Sequence, residues 1–351
     1  MGFYVNNNNK PLTLKKVAEI LNCSTATISN AFNRPDQLSA SLRERILAEC
    51  KRIGYHGPNI TARTLRKGES GVIGVLLSDA LSYHFTDPVA NQFLQGISEV
   101  LEKNNKQLLL LSSASANSNT SGIEALPDGF IIYGSQERNP LFERVIQQGK
   151  PCITVDIDIE GYASINIDNF QAAHDIASHV FLNPTNQPAI LGLRLINSDR
   201  VCRITQAELL QETKSISRRR LNGYLAAAAE HDVEISPNRI WHIPENNYLL
   251  AFQAAHEALT SLPMPDVLIC MSDNIAIAAM AVARELELDV PDIVRIVGFD
   301  DIPEASRVLP PLTTVCQRSK EKGKVAAEQL LAGQLNQKTI LPSELVIRLS
   351  S

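Results

Sequence analysis

The sequence predicts an all-α helix-turn-helix head followed by a larger α/β region built on parallel sheets. Three observations carry that prediction. Short helical periodicities with N-cap residues crowd the first 57 residues. From about residue 71, apolar runs bounded by turn residues alternate with amphipathic helical stretches. The charge divides in the same place: residues 1–70 hold eleven Lys and Arg against five Asp and Glu, a balance of +6, leaving −11 for the rest of a chain whose net charge is −5. A basic head on an acidic body suits a polyanionic partner for the head alone, although a solvated basic helix face has the same composition.

The opening "MGFYVNNNNKPLTLKK" has no apolar core of a signal peptide, and its asparagine run reads as a disordered lead-in, so the expectation is a cytoplasmic chain. Leu14, Val17, Ala18 and Leu21 then fall at i, i+3, i+4 and i+7, one apolar stripe on a short helix with Thr13 as N-cap. That helix stops near Asn22. Ser24 offers a second N-cap; Ile28, Ala31 and Phe32 form the inward side of the next helix, and Thr25, Ala26, Ser29 and Asn30 face out. In "SASLRERILAECKRIGY" the residues Leu42, Ile46, Cys50 and Ile53 repeat the stripe, with Ser41 and Glu44 at capping-box spacing. The third helix closes a three-helix core.

Short polar side chains let a helix approach the floor of the DNA major groove and can exchange hydrogen bonds with base edges. Thr25, Ala26, Thr27, Ser29, Asn30 and Asn33 are therefore the candidate base-reading residues, with flanking basic residues for phosphates. The same pattern also fits a plain helical hairpin with a soluble face. In "GYHGPNITARTLRKGES" a candidate helix over 59–66 lies between Pro58 and Gly68. Alone in water it is too short to hold. Ala62 and Leu65 lie three apart on one side, and Leu65 would act as an apolar wedge in the minor groove, with Arg63, Arg66 and Lys67 supplying charge and Asn59, at the helix start, a further DNA-contact candidate; a simple linker is the alternative.

The segments "TLKKVAEILNCSTATISNAFN", "LRERILAECKRIGY" and "PNITARTLR", in this order, resemble the headpiece and hinge of lactose-repressor (LacI/GalR) family regulators. The resemblance spans about residues 11–350. It implies a core like periplasmic binding proteins, two doubly wound α/β lobes around a ligand cleft. The runs "GVIGVLLS", "QLLLLSS", "DGFIIYG" and "PCITVDI" make the first lobe, and "PAILGLRL", "RIWHIP", "DVLICMS" and "VRIVGFDD" the second, all parallel. The implied divisions are a headpiece over 11–57, a hinge helix or linker over 58–70, a first lobe over 71–168 and about 317–340, and a second lobe over 169–316 and about 341–351. The implied protein is a repressor, a homodimer or higher oligomer on double-stranded operator DNA, controlled by a small-molecule effector of the sugar, sugar-derivative or nucleoside class. No cofactor is expected.

Ligands of open α/β sheets sit at the carboxyl ends of strands, and the resemblance selects candidates there. Asp300 in "VGFDD" follows the family pattern, although an aspartate here also suits tying down its own loop. Arg220 matches the effector-contacting arginine, with Arg218 and Arg219 leaving the register open. Asp273, next to Ser272, would cap its helix while reaching the ligand, or cap alone. Asp156 ends a strand of the first lobe. His84 or Phe85, and Tyr248, fall where the family places side chains against the ligand, with the spacing at Tyr248 about two residues short. The chain departs from the family in a longer connection, "INSDRVCRITQAELLQETKSI", and in the turn-like "ASANSNTSGIEAL" where a helix is usual.

Other classes find little support. Gly68, Gly71 and Gly74 in "GESGVIG" precede a strand, whereas a dinucleotide fingerprint follows one. There is no P-loop and no GxSxG elbow, and His174 and His179 are five apart and do not share a helical face. The six cysteines stand at least 27 residues apart, which suits buried thiols and neither a metal site nor a disulfide framework. No apolar run reaches the roughly 20 residues of a membrane span. A ligand-sensing protein without DNA binding explains an α/β core but not the basic head, and is the alternative reading.

Overall fold

The structure, a computed structural model, describes residues 12–57, 69–112, 122–134, 139–185, 187–210 and 215–351. The proposed hinge helix, with Asn59, Ala62 and Leu65, lies outside the described residues. The chain divides into two compact units, residues 1–70 and 71–351.

In the first unit, helices α1 (Leu14–Ile20), α2 (Thr25–Asn33) and α3 (Ala40–Arg52) each start where a hydroxyl can cap free amides. Thr13 Oγ1 accepts from the Lys16 amide at 3.3 Å and Ser24 Oγ from that of Thr27 at 3.0 Å. Between them Asn22 takes φ 46°, a left-handed turn that asparagine tolerates. The third helix corrects the sequence reading: its cap is Ser39, which accepts from the Leu42 amide, and Ser41 lies inside the helix, because the chain becomes helical two residues early. Val17, Ala18, Ile28, Ala31, Ile46, Cys50 and Tyr55 form the core. Phe32 packs edge-on against Tyr55 with centroids 5.8 Å apart.

The second unit begins with β1 (Val72–Leu77), α4 (Leu81–His84), α5 (Pro88–Lys103), β2 (Gln107–Ser112), β3 (Gly129–Tyr133), α6 (Pro140–Gln147), β4 (Cys152–Val155) and β5 (Ala163–Ile167). It continues through α7 (Asn169–Phe181), β6 (Pro188–Leu193), β7 (Cys202–Arg203), α8 (Gln206–Leu209), α9 (Ile216–Glu230), β8 (Ile240–Ile243), α10 (Tyr248–Leu259), β9 (Val267–Cys270), α11 (Asp273–Glu285) and β10 (Arg295–Val297). Last come β11 (Thr314–Cys316), α12 (Ser319–Leu331), β12 (Lys338–Leu341) and β13 (Glu344–Val346). Among the described residues, one sheet has the order β12-β5-β4-β3-β1-β2, all parallel, and a second has β10-β9-β6-β8-β7. In the second sheet β7 runs antiparallel to β8, against the expectation of parallel order throughout; it belongs to the long connection 196–216 and needs only two residues of pairing to close the edge.

Both sheets are covered on both faces, which is why their strands read as continuous apolar runs. Ile73, Val75 and Leu77 of β1 point to α5 and α12, while Leu76 points to α6. Ala189 and Leu191 of β6 meet α10 and α11, and Ile190 meets α7 and α9. Glycines allow the closest helix crossings: a Cβ on Gly96 of α5 would stand 2.0 Å from the Lys320 carbonyl oxygen, and one on Gly323 of α12 would stand 2.1 Å from that of Phe93. The chain passes from the first sheet to the second after β5; β11 and β13 pair antiparallel as a two-stranded sheet that isolated bridges join to the end of β10, and between them the chain returns to the first sheet through α12 and β12. Strand ends from both sheets are thereby brought to a common space.

Candidate functional site

On the head, Thr25, Ala26 and Asn33 are exposed, and Ser29 and Asn30 half-buried, along one side of α2 whose opposite side buries Ile28 and Ala31. Thr27 is engaged in the cap, its hydroxyl 2.8 Å from that of Ser24. Asn33 spends its amide on the Ser29 carbonyl at 3.0 Å. A residue that the sequence reading passed over holds the other end of the helix: Arg43 of α3 donates from Nε to the Ala31 carbonyl at 3.0 Å, satisfying an acceptor in the last turn of α2.

In the larger unit a cleft of about 950 Å³ opens where the strands of both sheets end. Its first-sheet wall includes Ser78, Asp79, Tyr83, His84, Asp87, Tyr133 and Asp156, and its second-sheet wall Arg194, Arg219, Arg220, Asn246, Ser272 and Asp300. Arg220 is held on three sides. Its Nε donates to Asn169 Oδ1 at 3.0 Å, its Nη1 to the Met271 carbonyl at 2.8 Å, and its guanidinium lies 3.5 Å from the centroid of the Phe299 ring. Asp300 stands 3.6 Å from it, in a left-handed conformation with φ 125°. Burial pushes the Asp300 carboxyl well above the ordinary range, against the pull of Arg220.

The opposite wall is equally desolvated. Burial raises the Asp87 carboxyl and the Tyr83 and Tyr133 phenols, and lowers His84. His84 Nε2 accepts the Asp79 amide at 3.2 Å, so in the neutral ring Nδ1 carries the proton. Two ion pairs cross the cleft, Arg194 to Asp79 at 3.1 Å and Arg219 to Asp158 at 3.6 Å. Ser272 Oγ donates to Asn246 Oδ1 at 2.7 Å, and the Asn246 side chain stands beside the Tyr83 phenol in the cleft. Carboxylates, a clamped guanidinium, phenols and amides around a concave space are what binding a small polyhydroxylated or heterocyclic molecule requires.

Of the candidates taken from the sequence, Asp300, Arg220, Asp156, Ser272 and His84 line this cleft. Asp273 does not. It is fully buried beneath the wall, with Oδ2 accepting the Ile302 amide at 2.9 Å and Oδ1 the Thr314 hydroxyl at 2.5 Å, and the cap of α11 is Ser272 instead. Phe85 is 63% exposed and Tyr248 50%, both outside the wall. Of the alternatives His84 and Phe85 it is His84 that lies in the wall, and in place of Tyr248 the residue two positions earlier, Asn246, lines it. Among the described residues no group of three or more His, Cys, Asp or Glu is placed to hold a metal ion, and no helix is long and apolar enough to cross a membrane.

A family profile described as a periplasmic binding protein-like domain matches residues 203–351. The HTH-type transcriptional regulator Rv3575c of Mycobacterium tuberculosis is 35% identical over 326 residues, 91% of this chain and 90% of the relative. A solved LacI-family regulator from Corynebacterium glutamicum superposes with a TM-score of 0.69 at 26% identity, covering 98% of this chain and 99% of its own. The lac repressor dimer bound to operator and the anti-inducer ONPF shares the fold, with a TM-score of 0.70 at 22% identity over 97% of this chain and 99% of that one. With the helix-turn-helix head and the cleft between two doubly wound sheets, these likenesses show that the chain belongs to the LacI/GalR family of HTH-type transcriptional regulators.

Proposed function

We propose that this regulator is a homodimeric repressor that places two α2 helices on a pseudo-palindromic operator and releases or tightens its hold when a sugar, sugar derivative or nucleoside fills the cleft. The division of labour follows the sheets: a headpiece over 11–57, a hinge over 58–70, a first lobe over 71–168 with about 317–340, and a second lobe over 169–316 with about 341–351. The observation that carries the reading is that cleft-lining side chains come from both sheets, with Arg220 and Asp300 facing Asp156 and Tyr83. A ligand touching both walls stabilises one relative placement of the lobes, and it changes operator affinity only as far as it binds the two placements differently. The lac repressor neighbour, bound to operator and a small molecule as a dimer, supports the same arrangement. The role is regulatory and not catalytic, in a cytoplasmic protein.

The test is a titration of the full chain against its own upstream DNA and against scrambled DNA. It is repeated with each monosaccharide, disaccharide or ribonucleoside that raises the melting temperature, as a ligand of the folded state must. Specific binding that one of them alters is the expected result. Equal affinity for both DNAs would refute the DNA-reading role and leave a ligand-sensing protein. DNA binding indifferent to every stabilising ligand would refute effector control.

A further inference from the structure

Lys322 lies in the first turn of α12, and only 1% of its side chain is exposed. It does not line the cleft, but both of its polar partners do. Its Nζ donates to Asp156 Oδ1 at 2.6 Å and to Gln317 Oε1 at 2.9 Å. An ammonium group has donors and no acceptor, so Gln317 has to turn its carbonyl to Lys322 and its NH2 the other way. That NH2 donates to Asp300 Oδ1 at 2.6 Å. One buried cation therefore governs the carboxylate at the end of β4 directly and the carboxylate after β10 through a single amide. Burying a charge is unfavourable unless it is paired and fully hydrogen-bonded, and a lysine is a poor choice where only packing is needed.

We propose that Lys322 is a positioning residue of the effector site: from behind the wall it fixes Asp156, and through Gln317 it fixes Asp300, before any ligand arrives. The proposal rests on the cleft being the effector site. The Lys322 ammonium behind the wall and the Gln317 amide in it are already engaged with one another and with these acids, so this part of the floor offers a ligand the remaining oxygens of Asp156 and Asp300. It is matched to molecules that present hydroxyl donors. The other ionisable groups around the two carboxylates are Arg220, Asp87, Asp273 and Tyr133, and Asp273 is present unchanged in wild type and in both variants.

The experiment uses the full chain and two variants, Lys322→Met and Lys322→Met combined with Asp156→Asn. In the single variant the Asp156 carboxylate, 8% exposed, is left buried without its cation, a cost that is largest where the carboxylate is charged, so stability falls as pH rises. The expected melting temperature drops against wild type by roughly 5–10 °C more at pH 8 than at pH 5. The double variant removes the stranded charge and should lose that extra slope, which a packing defect would not do. In parallel, each compound from a panel of monosaccharides, disaccharides and ribonucleosides that stabilises wild type should bind Lys322→Met about tenfold or more weakly at pH 5, as when the support of a site is removed. Equal losses at both pH values, a slope that persists in the double variant, or unchanged affinity of Lys322→Met for a wild-type ligand would each overturn the proposal. If no member of the panel stabilises wild type, it is the reading of the cleft that fails, and the role of Lys322 fails with it.

Discussion

Arg194, just after β6, reaches across the cleft to Asp79, just after β1, with Nη2 3.1 Å from Oδ1 and Nη1 3.4 Å from Oδ2. The pair ties the two sheets together at the rim, on residues 115 apart in sequence. Because the arginine side chain is 45% exposed, solvent screens the pair, and it contributes under about 1 kcal/mol. Arg194→Met should therefore open the cleft without unfolding it. Small-angle scattering is expected to show a larger radius of gyration for the ligand-free variant, and wild type should approach it at high salt. Identical scattering at all salt concentrations would remove the pair from any part in closure.

The exposed side of α2 predicts which substitutions alter operator choice. Replacing Asn30 or Thr25 by another polar residue should change the preferred base at one or two positions of each half-site, at roughly 1–3 kcal/mol each. Arg43→Ala should instead weaken all sequences together, since it loosens the end of α2 and touches no base in this reading. Binding-site selection on the three variants separates the two outcomes.

Arg220→Ala should abolish the effector response, at roughly 2–5 kcal/mol of ligand affinity, since it strands Asp300 and the Met271 carbonyl in a buried wall. Asp300→Asn is the gentler partner: asparagine tolerates a positive φ, so the backbone is kept, while an acceptor facing the Gln317 NH2 is exchanged for an amide. Both variants should keep operator affinity near wild type. Calorimetry with an identified ligand checks the first claim and DNA titration the second.

Asp273 predicts a pH effect of unusual sign. Burial pushes its carboxyl up to about 7 from an unfolded value near 3.8, opposed by the Thr314 and Ile302 hydrogen bonds and the nearby Arg348, and reinforced by Asp301. Well below the unfolded value of 3.8 it is protonated in both states and contributes no slope. Between about 4 and 7 the folded chain keeps a proton that the unfolded chain has released, so this group makes stability fall as pH rises, and above 7 the cost of the buried charge is complete. Asp273→Asn can still accept the Ile302 amide and carries no charge. Its melting temperature relative to wild type should improve from pH 4.5 to about pH 7 and then level off; a constant difference would show that Asp273 is ionised throughout.

What could be read from the sequence was whatever a local pattern encodes. The caps Thr13 and Ser24, the stripe Ile28–Ala31 and the apolar runs of β1, β3, β6 and β9 follow from periodicity and capping chemistry within a few residues. The third cap shows the limit, since Ser39 and Ser41 are chemically equivalent and only the path of the backbone chooses between them. β5, α7, α12 and β12 were passed over: "ASINI" and "KTIL" are short, and "SKEKGKVAAEQLL" owes its burial to glycine-mediated packing on α5. Of His84 and Phe85, offered as alternatives, His84 lines the cleft, whereas Tyr248 lies outside it and Asn246, two residues earlier, lines it. Asn246 precedes the cap Asn247 and Tyr248 opens α10, so the backbone path into the helix, and not the local pattern, decides which of them meets the wall.

The sequence by itself determined that a basic helix-turn-helix precedes an α/β core, because charge balance, capping and apolar period are properties of neighbouring residues. Only the tertiary structure decided which strand-end groups share a cleft. Lys322 and Asp156 are 166 positions apart, and Arg220 meets Asn169 and Met271 at a separation of 51 in each direction. Contacts of that range arise from the crossings between the two sheets, which no local pattern records, and burial there pushes Asp300 and Asp273 up and Lys322 down from their ordinary values.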